Sequence, residues 1–294
     1  MSLFIYVVLV FLVLRFSVTL FNFLSNPKLN KYGKRYTDVV SVIVSASPDQ
    51  DLAVFLKSIE NQDYQNLEVI ISDKNEAHTA ALDSAKGKYL LFLEANMVVG
   101  KGLINSLIYR SRIFKLSTVT LVPSRKITSI YDWCIIPLRD FILLNMFPLR
   151  FARVAGNTAF GVGNAECLFV EVDSYRLNRS GNRMDVLLAN GLLTITDSKN
   201  SSSSRQLLPV FGNNIMVALL YLILVVAGPL LMFIYVDPSF AALPVGLIFL
   251  SRLMISFLTN ENPIINVVLH PLQMFFLTWG LISEICKWLF RSNR

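Results

Sequence analysis

The chain has 294 residues, of which 54% are hydrophobic and only 16% charged, and its mean hydropathy is +0.54. Soluble domains carry about a quarter of charged residues, so a wholly water-borne protein is excluded and part of this chain must sit in lipid. The net charge of +7, from 27 basic against 20 acidic residues, suits loops facing anionic lipid better than a nucleic-acid surface.

Residues Ser2 to Leu24 are almost wholly apolar, with Arg15 the one charge. At about 1.5 Å per residue they reach across a hydrocarbon core of roughly 30 Å, which predicts a retained anchor over residues 1–25; Arg15 can snorkel if the helix is tilted or partly interfacial, and a monotopic segment is the alternative. Lys28, Lys31, Lys34 and Arg35 follow at once and put the next domain on the cytoplasmic side.

Between Thr37 and Asn214 the pattern changes. VVSVIVSAS is a short β-branched run that suits a buried parallel strand, and DLAVFLKSIENQ brings Leu52, Phe55, Leu56 and Ile59 to one helical face. LEVIISD then reads as a strand ending on Asp73, AHTAALDSAKG as a helix, and KYLLFLEAN as a strand ending on Glu94 and Asn96. This alternation predicts a three-layer α/β domain over 37–214. Ligands of such open sheets bind beyond the carboxyl ends of the strands, where Ser45 to Asp49, Asp73 and Glu94 to Asn96 fall.

The segment from Ile130 to Phe151 is apolar but interrupted by Asp132, Arg139, Asp140 and Arg150, and is expected to lie on the bilayer surface as an interfacial stretch, 130–151. Ser201 to Ser204 reads as a linker. Three apolar segments close the chain over 215–290: Ile215 to Tyr235, Phe240 to Leu258 and Pro263 to Phe290, separated by the turn sequences VDPSF and TNENP. Four crossings in all would put both termini outside, against the basic tail of Lys287, Arg291 and Arg294. A re-entrant or interfacial segment removes that conflict. Cys134, Cys167 and Cys286 show no CxxC spacing, and His78 and His270 are the only histidines, so neither a disulfide framework nor a zinc site is indicated.

The ordered series VSVIVSASPDQ, SIENQDYQNLEVIISD and GKYLLFLEAN resembles the start of an inverting family-2 glycosyltransferase of GT-A fold. With one helix before the domain, YDWCIIPLRDFILLNMFPLR within it and an apolar tail, the layout is similar to membrane enzymes that glycosylate carotenoids and hopanoid-type lipids. The resemblance implies a Rossmann-like nucleotide-sugar domain carrying N- and C-terminal transmembrane helices, in a bacterial inner membrane with the domain cytoplasmic. It implies a nucleotide-sugar donor, a lipid acceptor and no nucleic-acid partner.

Carried over residue by residue, the resemblance implies that Ser45, Ala46 and Asp49 hold the base of the donor, that Asp73 contacts base or ribose, and that Glu94 binds ribose. Asn96 would coordinate Mg2+ or Mn2+, Arg205 would cross the diphosphate, Asn164 and Glu166 would line the acceptor side, and Asp185 would open a helix as general base. Several positions depart from the family pattern: the first loop lacks its Asn-Arg pair, Lys74 replaces a second aspartate, Met184 stands where a Glu is expected, and the stretch from Asp73 to Glu94 has room for one helix only. A catalytically decayed relative acting as a membrane scaffold or partner is the alternative.

Overall fold

The computed structural model describes residues 2–47, 50–73, 84–155, 167–176, 183–196, 206–235 and 238–292. Its centre is a six-stranded sheet in the order β2-β1-β3-β7-β5-β8, built from β1 (Val40–Ala46), β2 (Leu67–Asp73), β3 (Tyr89–Glu94), β5 (Thr118–Val122), β7 (Cys167–Glu171) and β8 (Met184–Leu188). β1 is parallel to β2 and β3, and β5 to β8, while β7 runs antiparallel between β3 and β5. Five strands therefore point the same way, as the alternating pattern predicts.

The period of two along β1 divides its side chains between two layers. Val40, Val42 and Val44 join one core with Phe55 and Ile59 of α2 (Ala53–Glu60) and with Ile104, Leu107 and Ile108 of α3 (Leu103–Phe114). Ile43 faces the other way, packing with Ala85, Leu90 and Val172. Each of these buried aliphatic side chains contributes roughly 1.5–3 kcal/mol relative to exposure, and coverage of both faces is why the strand reads as a nearly continuous apolar run.

A second, three-stranded sheet, β4-β9-β6, lies beyond the carboxyl ends of the first. β4 (Met97–Val99) continues from β3, β6 (Ser124–Arg125) from β5, and β9 (Leu193–Ile195) from β8 after a turn in which Asn190 and Gly191 have φ of 53° and 79°. The row Met97, Ile195, Arg125 runs straight across it.

The domain's edge begins earlier than Thr37. Leu188 N donates to Pro27 O at 2.7 Å, Leu29 N donates to Leu188 O at 2.8 Å, and Leu29 is buried in the main core.

Among the described residues, three helices are long and apolar enough to cross a membrane: Leu3–Ser25 within α1 (Ser2–Ser25), Ile215–Tyr235 (α5) and Ala242–Thr259 within α6 (Pro238–Thr259). Val8, Leu12, Arg15, Thr19 and Asn22 are the buried stripe of α1, spaced by three and four residues. Arg15 does not snorkel. Its Nε donates to Asn145 Oδ1 at 3.2 Å, its Nη2 to Tyr221 OH at 3.4 Å, and Phe11, Phe141 and Tyr221 present their rings to it within 5.2–5.7 Å. Asn22 caps the same stripe by donating to Leu144 O and Phe147 O, each at 2.8 Å. Where α1 crosses α5, a Cβ on Gly228 would stand 2.7 Å from a Val8 methyl, so only glycine allows this approach.

Two expectations are corrected here. In place of a surface-lying stretch at Ile130 to Phe151, α4 (Ile130–Met146) is packed within the protein, with Phe141, Leu143 and Leu144 against Val122, Val186, Leu188, Ile255 and Leu258, and Leu138 and Ile142 against α5 and the C-terminal helix. Its charged residues sit where the packing leaves room; Asp132, for example, closes a capping box with Ser129. Nor is Pro263 to Phe290 one crossing. It breaks into α7 (Pro263–Val268) and α8 (His270–Ser292), and Glu284 of α8 accepts from Leu207 N and Leu208 N at the root of α5.

Candidate functional site

The parallel register of β1, β2 and β3 determines which side chains share the carboxyl edge. Ser45 stands level with Ser72 on one side and Glu94 on the other, Ala46 is level with Asp73, and Ala95 N donates to Ser45 O at 3.2 Å. Ser45 and Glu94 therefore stand at one level of this edge and Ala46 and Asp73 one residue further along, although the chain separates Ser45 from Glu94 by almost fifty positions. Asp49, Asn164, Glu166 and Arg205, also expected at the site, lie outside the described residues.

Asn96 is a turn residue between β3 and β4. Its main-chain oxygen accepts from Thr196 N at 3.1 Å and Thr196 Oγ1 at 2.9 Å, tying the two sheets together, while its side-chain Oδ1 is closed off from solvent and accepts no hydrogen bond among the described residues. A hard divalent cation takes oxygen ligands, several of them charged. Here only the Glu94 carboxylate and that enclosed amide oxygen are offered, and among the described residues no group of three His, Cys, Asp or Glu side chains is close enough to hold a metal ion. A Mg2+ or Mn2+ here would be held by the Glu94 carboxylate together with the phosphates of a donor and water, as such ions commonly are, while Asn96 Oδ1 is enclosed by protein.

Asp185 opens no helix and does not join the others. It is the second residue of β8, level with Val119, Phe169 and Leu91 across the sheet, whereas Glu94 is three residues further along β3. At about 3.3 Å per residue and 4.8 Å per strand, this puts Asp185 roughly 10 Å back from the edge and three strands, about 14 Å, to the side. It is fully buried, and one oxygen, Oδ2, takes Arg153 Nη2 at 2.6 Å, Arg110 Nη2 at 3.1 Å and Arg150 Nη1 at 3.3 Å. Three guanidinium groups enclose the buried carboxylate and keep it out of reach of an acceptor hydroxyl, so its geometry is that of an internal counter-ion.

At the same carboxyl edge, on the β5–β8 side, lies a cavity of about 420 Å³ that the sequence did not announce. Its walls include Trp133, Ile136 and Asp140 of α4, Asn190 of the turn after β8, and Leu258 and Glu261 at the end of α6. Such a volume suits a small organic group, and apolar walls with a few convergent polar groups are usual for a ligand site. Arg125 of β6 reaches the same space and ends the row that starts at Met97 beside Asn96, so the cavity adjoins the β3 turn through the small sheet.

Glu261 is half-buried, and its orientation is fixed: Asn266 Nδ2 donates to its Oε2 at 2.7 Å and to Ser256 Oγ at 2.9 Å. Gln273 in turn donates to Asn266 Oδ1 at 3.1 Å and accepts from Arg252 Nη2, so a buried polar chain runs behind the carboxyl. Burial first, and then the nearby Asp140, push the Glu261 carboxyl up to about 7, against the pull of Arg252 and the bonds from Asn266 and Thr259. Lys28 Nζ donates to Asn260 Oδ1 at 2.9 Å and Phe257 O at 2.8 Å, pinning the end of α6 to the domain.

No protein-family model matches the chain, and no curated protein matches it. Among solved structures, it is similar to a mannosyltransferase from Pyrobaculum calidifontis in complex with GDP-Man and Mn2+, at 13% identity and a TM-score of 0.45, over 90% of this chain and 98% of that one. It is also similar to S. aureus TarS, at 11% identity and a TM-score of 0.40 over 83% of this chain and 53% of that one. For residues 1–349 of TarS in complex with UDP-GlcNAc the values are 10%, 0.38, 83% and 88%. Identities and TM-scores this low leave the chemistry of this chain to be read from its own residues.

Proposed function

We propose that the protein is a membrane-bound glycosyltransferase that moves a sugar from a nucleotide-sugar donor to a lipid-type acceptor by inverting displacement. The observation that carries this reading is that Ser45, Ala46, Asp73 and Glu94 end neighbouring strands at one carboxyl edge, Ser45 level with Glu94 and Ala46 level with Asp73. Small residues at the end of β1 let a planar base approach the backbone, and carboxylates on the flanking strands suit the hydroxyls of a ribose. Helices that can cross a membrane, and a cavity bounded by two of the packed helices, support a lipid-type acceptor. The cluster Lys28, Lys31, Lys34 and Arg35 supports a cytoplasmic domain.

In this reading Ser45, Ala46, Asp73 and Glu94 bind and orient the donor. Its anomeric carbon extends along the edge towards β7 and β5, and displacement occurs there by an acceptor hydroxyl from the face opposite the leaving diphosphate. No step is routed through a metal.

Equilibrium titration of UDP- and GDP-sugars against the detergent-solubilised protein tests it. At least one donor should bind below millimolar concentration, and Glu94→Gln should weaken it about tenfold, as loss of one charge-assisted hydrogen bond does. A chain that binds no donor at millimolar concentration is not a transferase. The sealed Asp185 favours one other reading, a relative that keeps donor binding without turnover and serves as a scaffold. Binding without transfer to any amphiphile would be its mark.

A further inference from the structure

We infer that Glu261, in the cavity between the β5–β8 edge and helices α4 and α6, is the group that takes the acceptor's proton during transfer. The inference rests on the glycosyltransferase reading and assigns the base which that reading needs and Asp185 cannot supply.

The geometry carries it in three parts. First, the cavity opens at the same edge of the sheet as Glu94: Val122 and Leu188 end their strands in its wall, and β5 is only two strand spacings, about 10 Å, from β3. A donor whose nucleoside lies over β1 to β3 directs its sugar this way. Second, the walls are mixed. Trp133, Ile136 and Leu258 form an apolar side that suits the chain of an amphiphile, and Asn190, Asn260 and Glu261 a polar side that suits its hydroxyl head. Third, the carboxyl is aimed rather than loose, because the fully buried Asn266 fixes one oxygen and is itself fixed by Ser256 and Gln273.

The step balances within the site. The acceptor oxygen forms a bond to the anomeric carbon, its proton passes to the Glu261 carboxylate, and the bond to the nucleoside diphosphate breaks with its electron pair leaving on the diphosphate. A base must be deprotonated to act, so the groups around it set the pH at which it works. They are Asp140 on α4, Arg252 on α6, Arg125 on β6 and, behind Asn260, Lys28. Burial and Asp140 hold its proton up to about pH 7, which puts its titration in the working range.

The test uses the full-length protein in detergent with monodecanoylglycerol as acceptor and whichever nucleotide sugar binds. Glu261→Gln keeps the shape and an acceptor oxygen for Asn266. It should lower kcat at least a hundredfold with donor Kd within threefold of wild type. In the wild type kcat should rise with pH through about 7, and Asp140→Asn should move that rise to lower pH. Infrared titration supplies a readout without turnover: a protonated-carboxyl band that disappears near pH 7 and is missing in Glu261→Gln. Turnover within threefold of wild type in Glu261→Gln, or an unchanged band, overturns the assignment while leaving the transferase reading intact. A wild-type chain that binds no donor overturns both.

Discussion

Arg153 Nη2 lies 2.6 Å from Asp185 Oδ2, and Arg110 and Arg150 converge on the same oxygen from two other elements. One carboxylate thus balances three guanidinium groups at the start of β8. Asp185→Asn leaves them facing one another, at a cost of about 3–5 kcal/mol, the usual range for breaking a buried ion pair. Thermal unfolding should show a midpoint lower by ten degrees or more, while donor Kd measured well below that midpoint stays within threefold of wild type. Full stability combined with lost turnover would instead return Asp185 to the chemistry.

Glu261 makes stability depend on pH in a definite direction. Its folded value of about 7 lies above the roughly 4.3 of an unfolded glutamate, so between those pH values the folded chain holds a proton that the unfolded chain has lost. Its contribution is fully present below about pH 4.3 and is lost as pH rises through 7. Glu261→Gln, which has no charge to bury, should therefore melt a few degrees higher than wild type at pH 8 and close to wild type at pH 4, in paired thermal scans.

Gly87 marks how closely β1 and β3 are tied at their amino ends. Its N donates to Ser41 Oγ at 2.9 Å, that hydroxyl donates to Glu68 Oε2 at 2.6 Å, and a Cβ on Gly87 would meet Ser41 N at 2.6 Å. Backbone cannot move aside as a side-chain tip can, so Gly87→Ala should destabilise by about 1–3 kcal/mol. Because the edge proposed for the donor is at the other end of these strands, affinity for a nucleotide sugar should be unchanged at low temperature. Denaturant unfolding and donor titration on the same preparation check both halves.

The strand ends were legible in the sequence because short β-branched runs closed by Ser45-Ala46, Asp73 and Glu94 have only one good reading. Asp185 was misread because VLLA fits one turn of a buried helix as well as a strand. The better clue lay just beyond it, in Asn190-Gly191 before LLTI, whose positive φ values are turn chemistry between strands. Glu261 was passed over as part of a connecting turn. No spacing along the chain relates it to β8 or to Asp140; only the packing of α4 between sheet and helices brings them to one cavity.

Within the helices, Arg15 and Asn145 should respond unequally to substitution. Arg15→Met removes the charge and leaves an aliphatic chain among Phe11, Phe141 and Tyr221, so the change should be small. Asn145→Leu takes away an acceptor of a buried guanidinium and should cost about 1–3 kcal/mol more. Thermal midpoints in a single detergent decide the order, and the reverse ranking would mean that Arg15 is held by its aromatic neighbours alone.

The pairing of Pro27–Leu29 with Leu188 bears on how this chain can be divided. Cutting the α/β portion free at residue 37 would strip β8 of that partner and bare a strand margin at Leu188, beside a core that has lost Leu29. Margins of this kind recruit neighbouring molecules, so a shortened soluble version is expected to clump. Keeping everything from Pro27 onward protects the margin, which makes the first few positions after α1 part of the α/β half rather than a tether.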